Sequence, residues 1–154
     1  MGERSIYEAA GGLPALTALA HAWHERCLAD DVLAHAFSHG YHPDHSARLA
    51  AYWAEALGGP PTYSTSMAGE TEVMRMHSGN GEHAEMDRRA VAAFADAVEA
   101  CTAAGDLPSD PRVGEALVAY FTWGVSYFAQ YHRSADDVPD GLELPHWGWR
   151  GLLQ

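Results

Sequence analysis

The sequence predicts an all-helical domain, and three features carry that reading. Apolar residues recur at helical spacing through most of the chain. Alanine is abundant, and β-branched runs with period-two alternation are absent. Short glycine and proline clusters separate the periodic segments. At 154 residues the chain is one domain's worth of sequence, long enough to bury a sizeable core.

A first short helix is expected over 4–10, ended by Gly11-Gly12. Pro14 then suits the first turn of a helix running to about Leu28, with Leu16, Leu19, Trp23 and Cys27 on one face. Asp30-Asp31 opens a short helical segment reaching Phe37, and 38–43 reads as a loop. Asp44 has the character of an N-cap for a helix carrying Leu49, Tyr52, Trp53 and Leu57, which Gly58-Gly59-Pro60-Pro61 stops. Residues 62–69 are small and polar and read as loop, and 70–77 as a helical turn or two before the Gly79 and Gly81 break. Two long helices follow, Glu85 to about Ala103 and Ser109 to about Tyr131. Residues 133–154 form a tail whose Trp147 and Trp149 are expected to dock on the body, because exposed tryptophans in a mobile tail would reduce solubility.

Composition excludes several classes. There are 21 acidic and 9 basic residues, a formal net charge of -12, which disfavours nucleic acid and anionic membrane surfaces as partners. No apolar run approaches the ~18 residues of a membrane span, and the first residues lack a hydrophobic signal core, so a cytoplasmic location is expected. Every basic residue is arginine, which removes lysine Schiff-base chemistry. Cys27 and Cys101 stand far apart and read as buried thiols. The chain has no Walker-type phosphate loop, no Gly-x-Gly-x-x-Gly, no Cys-x-x-Cys and no Gly-x-Ser-x-Gly. What remains is ten histidines and many aromatics on helices, which suits a cofactor held between helices or a direct metal site.

His24 lies at the edge of the apolar stripe of its helix, and His21 lies off it. His45 falls on the apolar edge of its helix, one turn before Leu49. His77 follows Val73-Met74-Arg75-Met76 and precedes a glycine-rich break. Taken singly, each is more often a hydrogen-bonded or exposed histidine than a ligand.

The order of motifs adds to this. Gly11-Gly12, Asp30-Asp31-Val32-Leu33 with Phe37, Arg48-Leu49, Gly58-Gly59-Pro60 with Thr62-Tyr63-Ser64, and Met74-Arg75-Met76-His77 occur in sequence. In this the chain resembles the truncated haemoglobins, most closely the bacterial members of their second group, over about residues 5–132. The tail Pro145-His146-Trp147-Gly148-Trp149 is similar to tails of some bacterial members.

The resemblance implies a truncated globin domain over 1–132, a two-over-two helical sandwich around haem b, with the tail 133–154 packed on it. It implies His77 as the proximal iron ligand, binding as neutral imidazole, and Phe37 and Leu49 against the haem. Arg48 and Arg75 become candidates for the propionates, since a guanidinium matches a carboxylate bidentately; Tyr63 and Met76 are further contact candidates. His24 and His45 match distal positions. The implied function is binding of a diatomic gas, O2 or else NO or CO. The alternative is a haem enzyme, acting as peroxidase, oxygenase or nitric-oxide dioxygenase on a small substrate, with an external reductase for oxygen turnover. The protein would be a monomer or homodimer.

Three departures from the family pattern bear on mechanism. His24 stands where a tyrosine is usual. The family's tryptophan thirteen residues after the proximal histidine is Ala90, which predicts a roomier distal side. The segment Ser78-Gly79-Asn80-Gly81-Glu82-His83 lacks the usual Pro-Phe stretch, which predicts a looser proximal side with His83 as a rival ligand. Two haem-free readings compete. One is a metal site built from His35, His39, His42 and His45; the other is a signalling globin with its pocket otherwise filled.

Overall fold

The computed structural model describes residues 2–153. The elements are α1 (Ile6–Ala10), α2 (Gly12–Ala29), α3 (Asp31–Ala34) continued by a 3-10 turn (His35–Phe37), α4 (His45–Ala56), α5 (Thr62–Ser66), α6 (Glu70–Met76), α7 (Ala84–Ala104) and α8 (Pro111–Phe128). The principal packings are α2 on α4, α2 on α7, and α7 on α8, giving two helix pairs laid one over the other. The all-helical expectation holds, and most boundaries fall within two residues of the sequence reading.

Local chemistry explains the breaks. Gly11 takes φ 111°, closing α1 while serving as the cap residue of α2, a backbone state that only glycine adopts cheaply. Asp30 caps α3 by accepting from the amides of Val32 and Leu33. Asp110 accepts from the Arg112 amide at the head of α8, where Pro111 suits the first turn. At Gly59 a Cβ would sit 2.7 Å from the Ala54 carbonyl oxygen and 2.8 Å from the Tyr7 ring, so glycine lets α1 close over the end of α4.

Three local expectations need correction. Residues 62–66 are helical, not loop. The cap comes from Glu55 on α4, whose buried carboxylate accepts from the Ser64 amide at 2.8 Å and the Ser64 hydroxyl at 2.5 Å, satisfying free N–H groups at the start of α5. Asp44 stands at the cap position of α4 but makes no side-chain cap bond; its own amide donates to His42 Nδ1. The tail adds a 3-10 turn (Ala135–Asp137) and a small antiparallel pair, β1 (Trp147–Gly148) with β2 (Gly151–Leu152).

The core is continuous across the helix pairs. Trp53, Phe94 and Phe121 form its centre, with Phe94 and Phe121 stacked at 4.2 Å and Trp53 edge-on to both. Trp23 meets Trp53 and Phe121 edge-on at 6.3 and 5.4 Å. Such pairs add about 0.5–1.5 kcal/mol each beyond the area they bury. Cys27 and Cys101 are buried free thiols, and burial pushes Cys27 up to about 12, which makes it inert. The tail lies on the body: Leu144 is buried in the core, Trp147 packs on Tyr120 and Trp123, and Trp149 donates to the Arg4 carbonyl under the Arg112 guanidinium.

Candidate functional site

The candidate site draws on residues of α6, α4 and α2. His77 follows the last turn of α6, and its Nδ1 lies 2.8 Å from the Val73 carbonyl oxygen. A carbonyl only accepts, so Nδ1 carries the proton and Nε2 keeps a free lone pair. The ring stacks on Phe128 of α8 at 4.4 Å and 28°. It is at once deep among protein atoms and open on one side, and desolvation lowers its pKa, so it is neutral.

The segment after His77 is not loose. Ser78 is buried and donates to the Met74 carbonyl at 2.6 Å. The Gly79 and Gly81 amides donate to the Tyr131 and His132 carbonyls at 3.0 and 2.8 Å. The chain beyond α8 therefore clamps the loop, replacing the apolar stretch the sequence lacks. His83, the rival ligand, is exposed at the head of α7.

Separately, α2, the turn ending α3, the loop after it and α4 bring four rings together. His24 is 4.4 Å from His45, 4.9 Å from Phe37 and 4.6 Å from Tyr41, measured between centroids. His24 is 7% exposed. Among the described residues, His24 Nε2 and His45 Nδ1 are buried with no hydrogen-bond partner. Buried polar atoms are almost always paired, so two orphans side by side mark a place that expects a polar ligand. Both imidazoles are held neutral: desolvation lowers His24, and desolvation with the nearby His24, His42 and His77 takes His45 to about 4. His77 is near enough to His45 to lower its proton affinity.

The remaining candidates fall around this space. Leu49 lies one turn beyond His45 and is half-buried against the core. Arg48 lies over the Tyr63 ring at 5.8 Å, and Tyr63 is itself buried against Tyr52. Arg75 is paired with Asp140 of the tail at 2.8 Å, on the surface. Met76 is 66% exposed and Tyr41 49% exposed. The haem-free histidine cluster does not form: among the described residues no three His, Cys, Asp or Glu side chains converge on a metal position, and His35, His39 and His42 are exposed.

Several neighbours were not legible as site residues. Tyr41 sits in a loop with no periodicity to place it. Phe128 reads only as part of the apolar stripe of α8. Glu70, at the head of α6, reads as an ordinary acidic first-turn residue, yet it is 3% exposed and accepts from the Tyr52 hydroxyl at 2.9 and 3.0 Å and the Tyr127 hydroxyl at 2.6 Å. Trp23 Nε1 donates to the Ala90 carbonyl at 3.2 Å and packs with Phe37, Met86 and Ala90 against Cys27, Leu33 and Ala93. Trp23 and Ala90 thus pack against the same small cluster.

A two-over-two sandwich of these helices is the fold of a shortened globin. The chain belongs to the bacterial-like globin family, whose profile matches residues 5–109. Its fold is that of the truncated bacterial haemoglobins. The thermostable haemoglobin of the actinobacterium Thermobifida fusca is 26% identical, with a TM-score of 0.65 over 81% of this chain and 96% of that one. The haemoglobin of Chloroflexus aurantiacus (20% identical, TM-score 0.67, 82% and 98% covered) and the truncated oxygen-avid haemoglobin of Bacillus subtilis (17%, 0.65, 81% and 98%) share the fold. No curated protein matches the chain in sequence. Among the described residues no helix is long and apolar enough to cross a membrane.

Proposed function

We propose that the protein binds haem b between α6 and α4, with His77 as the proximal ligand, and takes up a diatomic gas (O2, or else NO or CO) beside His24 and His45. One observation carries this reading: the His77 Nδ1 proton is committed to Val73, which leaves Nε2 as a fixed, neutral, open donor. Haem, when bound, would supply an iron able to take up a diatomic ligand.

The chain's own residues do the rest. Phe37, Leu49 and the exposed Met76 offer apolar surface to a flat cofactor. Arg48, with Tyr63 beneath it, and Arg75 at the end of α6 are the cations assigned to the propionates, Arg75 exchanging or sharing its Asp140 pair. The orphaned nitrogens of His24 and His45 donate to, or accept from, a polar ligand.

The same pair favours a second reading. Two neutral imidazoles 4.4 Å apart can hold and pass a proton, which suits peroxidase- or oxygenase-like turnover of a small substrate. Oxygen turnover would draw electrons from an external reductase, because the chain carries no flavin or nicotinamide motif.

Absorption spectra of the purified protein test the proposal: as isolated, after dithionite, then after CO. A Soret band that shifts at each step is expected. A colourless protein that develops no Soret band on titration with haemin overturns it.

A further inference from the structure

The buried carboxylate of Glu70 has no part in binding a gas, and neither does the run of rings leading away from His77. His77 stacks on Phe128; Phe128 is 4.9 Å from Tyr127; Tyr127 stacks on Trp123 at 4.9 Å and 15°; Trp123 meets Trp147 at 5.2 Å. The two tryptophans are only partly buried, so the run ends at the surface. Electron tunnelling weakens steeply with distance, and here no step leaves ring-to-ring contact. Phenylalanine is too hard to oxidise to hold a charge and acts as a bridge, whereas tyrosine and tryptophan can each give up one electron.

A phenol gives up an electron readily only if its proton has somewhere to go. The Tyr127 hydroxyl is 2.6 Å from Glu70 Oε2, a short bond to a carboxylate. Among the described residues Glu70 accepts from Tyr127 and Tyr52 alone, and no basic side chain pairs with it. Desolvation, the dominant influence, raises its proton affinity.

From this arrangement we propose that Tyr127, with Glu70 as its proton acceptor, relays single electrons from the Trp123–Trp147 surface to the cofactor site, so that the protein oxidises one-electron donors too large to enter the distal space. The inference rests on the haem-binding reading above. The oxidant is hydrogen peroxide. Its O–O bond breaks as it accepts two electrons, and its oxygens end as water once two protons are taken up. Both electrons are supplied one at a time through Tyr127, whose hydroxyl proton moves to Glu70 each time it gives one up; the two protons come from solvent, and two donor molecules are each oxidised by one electron. Trp123 then returns an electron to Tyr127 as the proton comes back from Glu70. The electron deficit passes to Trp147, where an external donor fills it.

The test uses haemin-loaded protein, mixed with one equivalent of hydrogen peroxide and frozen within milliseconds for electron paramagnetic resonance. A protein radical of tyrosyl or tryptophanyl line shape is expected. In Tyr127→Phe the tyrosyl component is lost and the total radical falls at least fivefold, while the Soret band is unchanged. Trp123→Phe confines the radical to tyrosine and abolishes spin-trap adducts on Trp147, read by mass spectrometry. A normal Soret band with no radical, or with the same radical in both variants, overturns the relay and leaves haem binding standing. Failure to form a Soret band overturns both.

Discussion

The Nδ1 atom of His77 and the carbonyl oxygen of Val73, one turn earlier, are 2.8 Å apart. This bond fixes the tautomer, aims the ring and leaves Nε2 as the only free nitrogen of the imidazole. His77→Gly should therefore lose haem affinity by at least tenfold without unfolding, because the ring is open on one side and carries little of the core. Added imidazole should restore the Soret band by occupying the vacated place. Haemin titrations of the variant with and without imidazole check this; unchanged affinity would move the proximal role elsewhere, His83 first.

The distal pair sets a pH dependence of stability. His45 falls from 6.5 to about 4 in the folded state, chiefly through desolvation and then through His24, His42 and His77. The folded protein resists protonation there and the unfolded chain does not. The unfolded state thus binds more protons between those values, and stability is lost as pH falls from the unfolded value toward the folded one. His45→Leu should flatten the acid limb of the apoprotein's stability between about pH 6.5 and 4. Urea midpoints across that range measure it, and a limb of the same slope in the variant would show that His45 does not titrate in this way.

Glu70 works in the opposite sense. Desolvation raises its pKa, so the folded state binds the proton more tightly than the unfolded chain. That contribution to stability is complete below the unfolded value and fades as pH rises through the folded one. Wild type should gain on Glu70→Gln as pH is lowered from about 7, read as the difference in urea midpoint at two pH values. Glu70→Ala is harsher at any pH, because the Tyr52 and Tyr127 hydroxyls lose their acceptor, at about 1–3 kcal/mol for each hydroxyl left unpaired.

Much of the fold was legible because helical periodicity and glycine or proline breaks are local. The ends of α1, α2 and α7 follow from residues within a few positions of each boundary. The helix α5 was hidden because its cap, Glu55, comes from the preceding helix and not from a local motif. His24, His45 and Phe37 could be named from motif order, and the structure brings them together; their company with Tyr41 could not, since loop residues 38–44 carry no period. Glu70 misled for a related reason. An acidic residue at a helix start is ordinarily solvated, and only tertiary contact with Tyr52 on α4 and Tyr127 on α8 makes it buried.

Trp23 and Ala90 show how a departure from a family pattern can be compensated in space. The indole nitrogen donates to the Ala90 carbonyl from across the α2–α7 contact, and both residues pack on Cys27, Leu33 and Ala93, so the expectation is that the ring competes for the room of a large side chain at 90. Ala90→Trp should then overpack the contact and destabilise the apoprotein by at least about 1–3 kcal/mol. Trp23→Ala alone should cost about 3–5 kcal/mol through the cavity it leaves. If the two positions share one space, the double substitution should be more stable than the sum of the single effects predicts, by an interaction energy of about 0.5–3 kcal/mol. Urea unfolding of the four proteins completes the cycle. Strict additivity would mean that a tryptophan at 90 lies elsewhere and that the two residues are neighbours without competing.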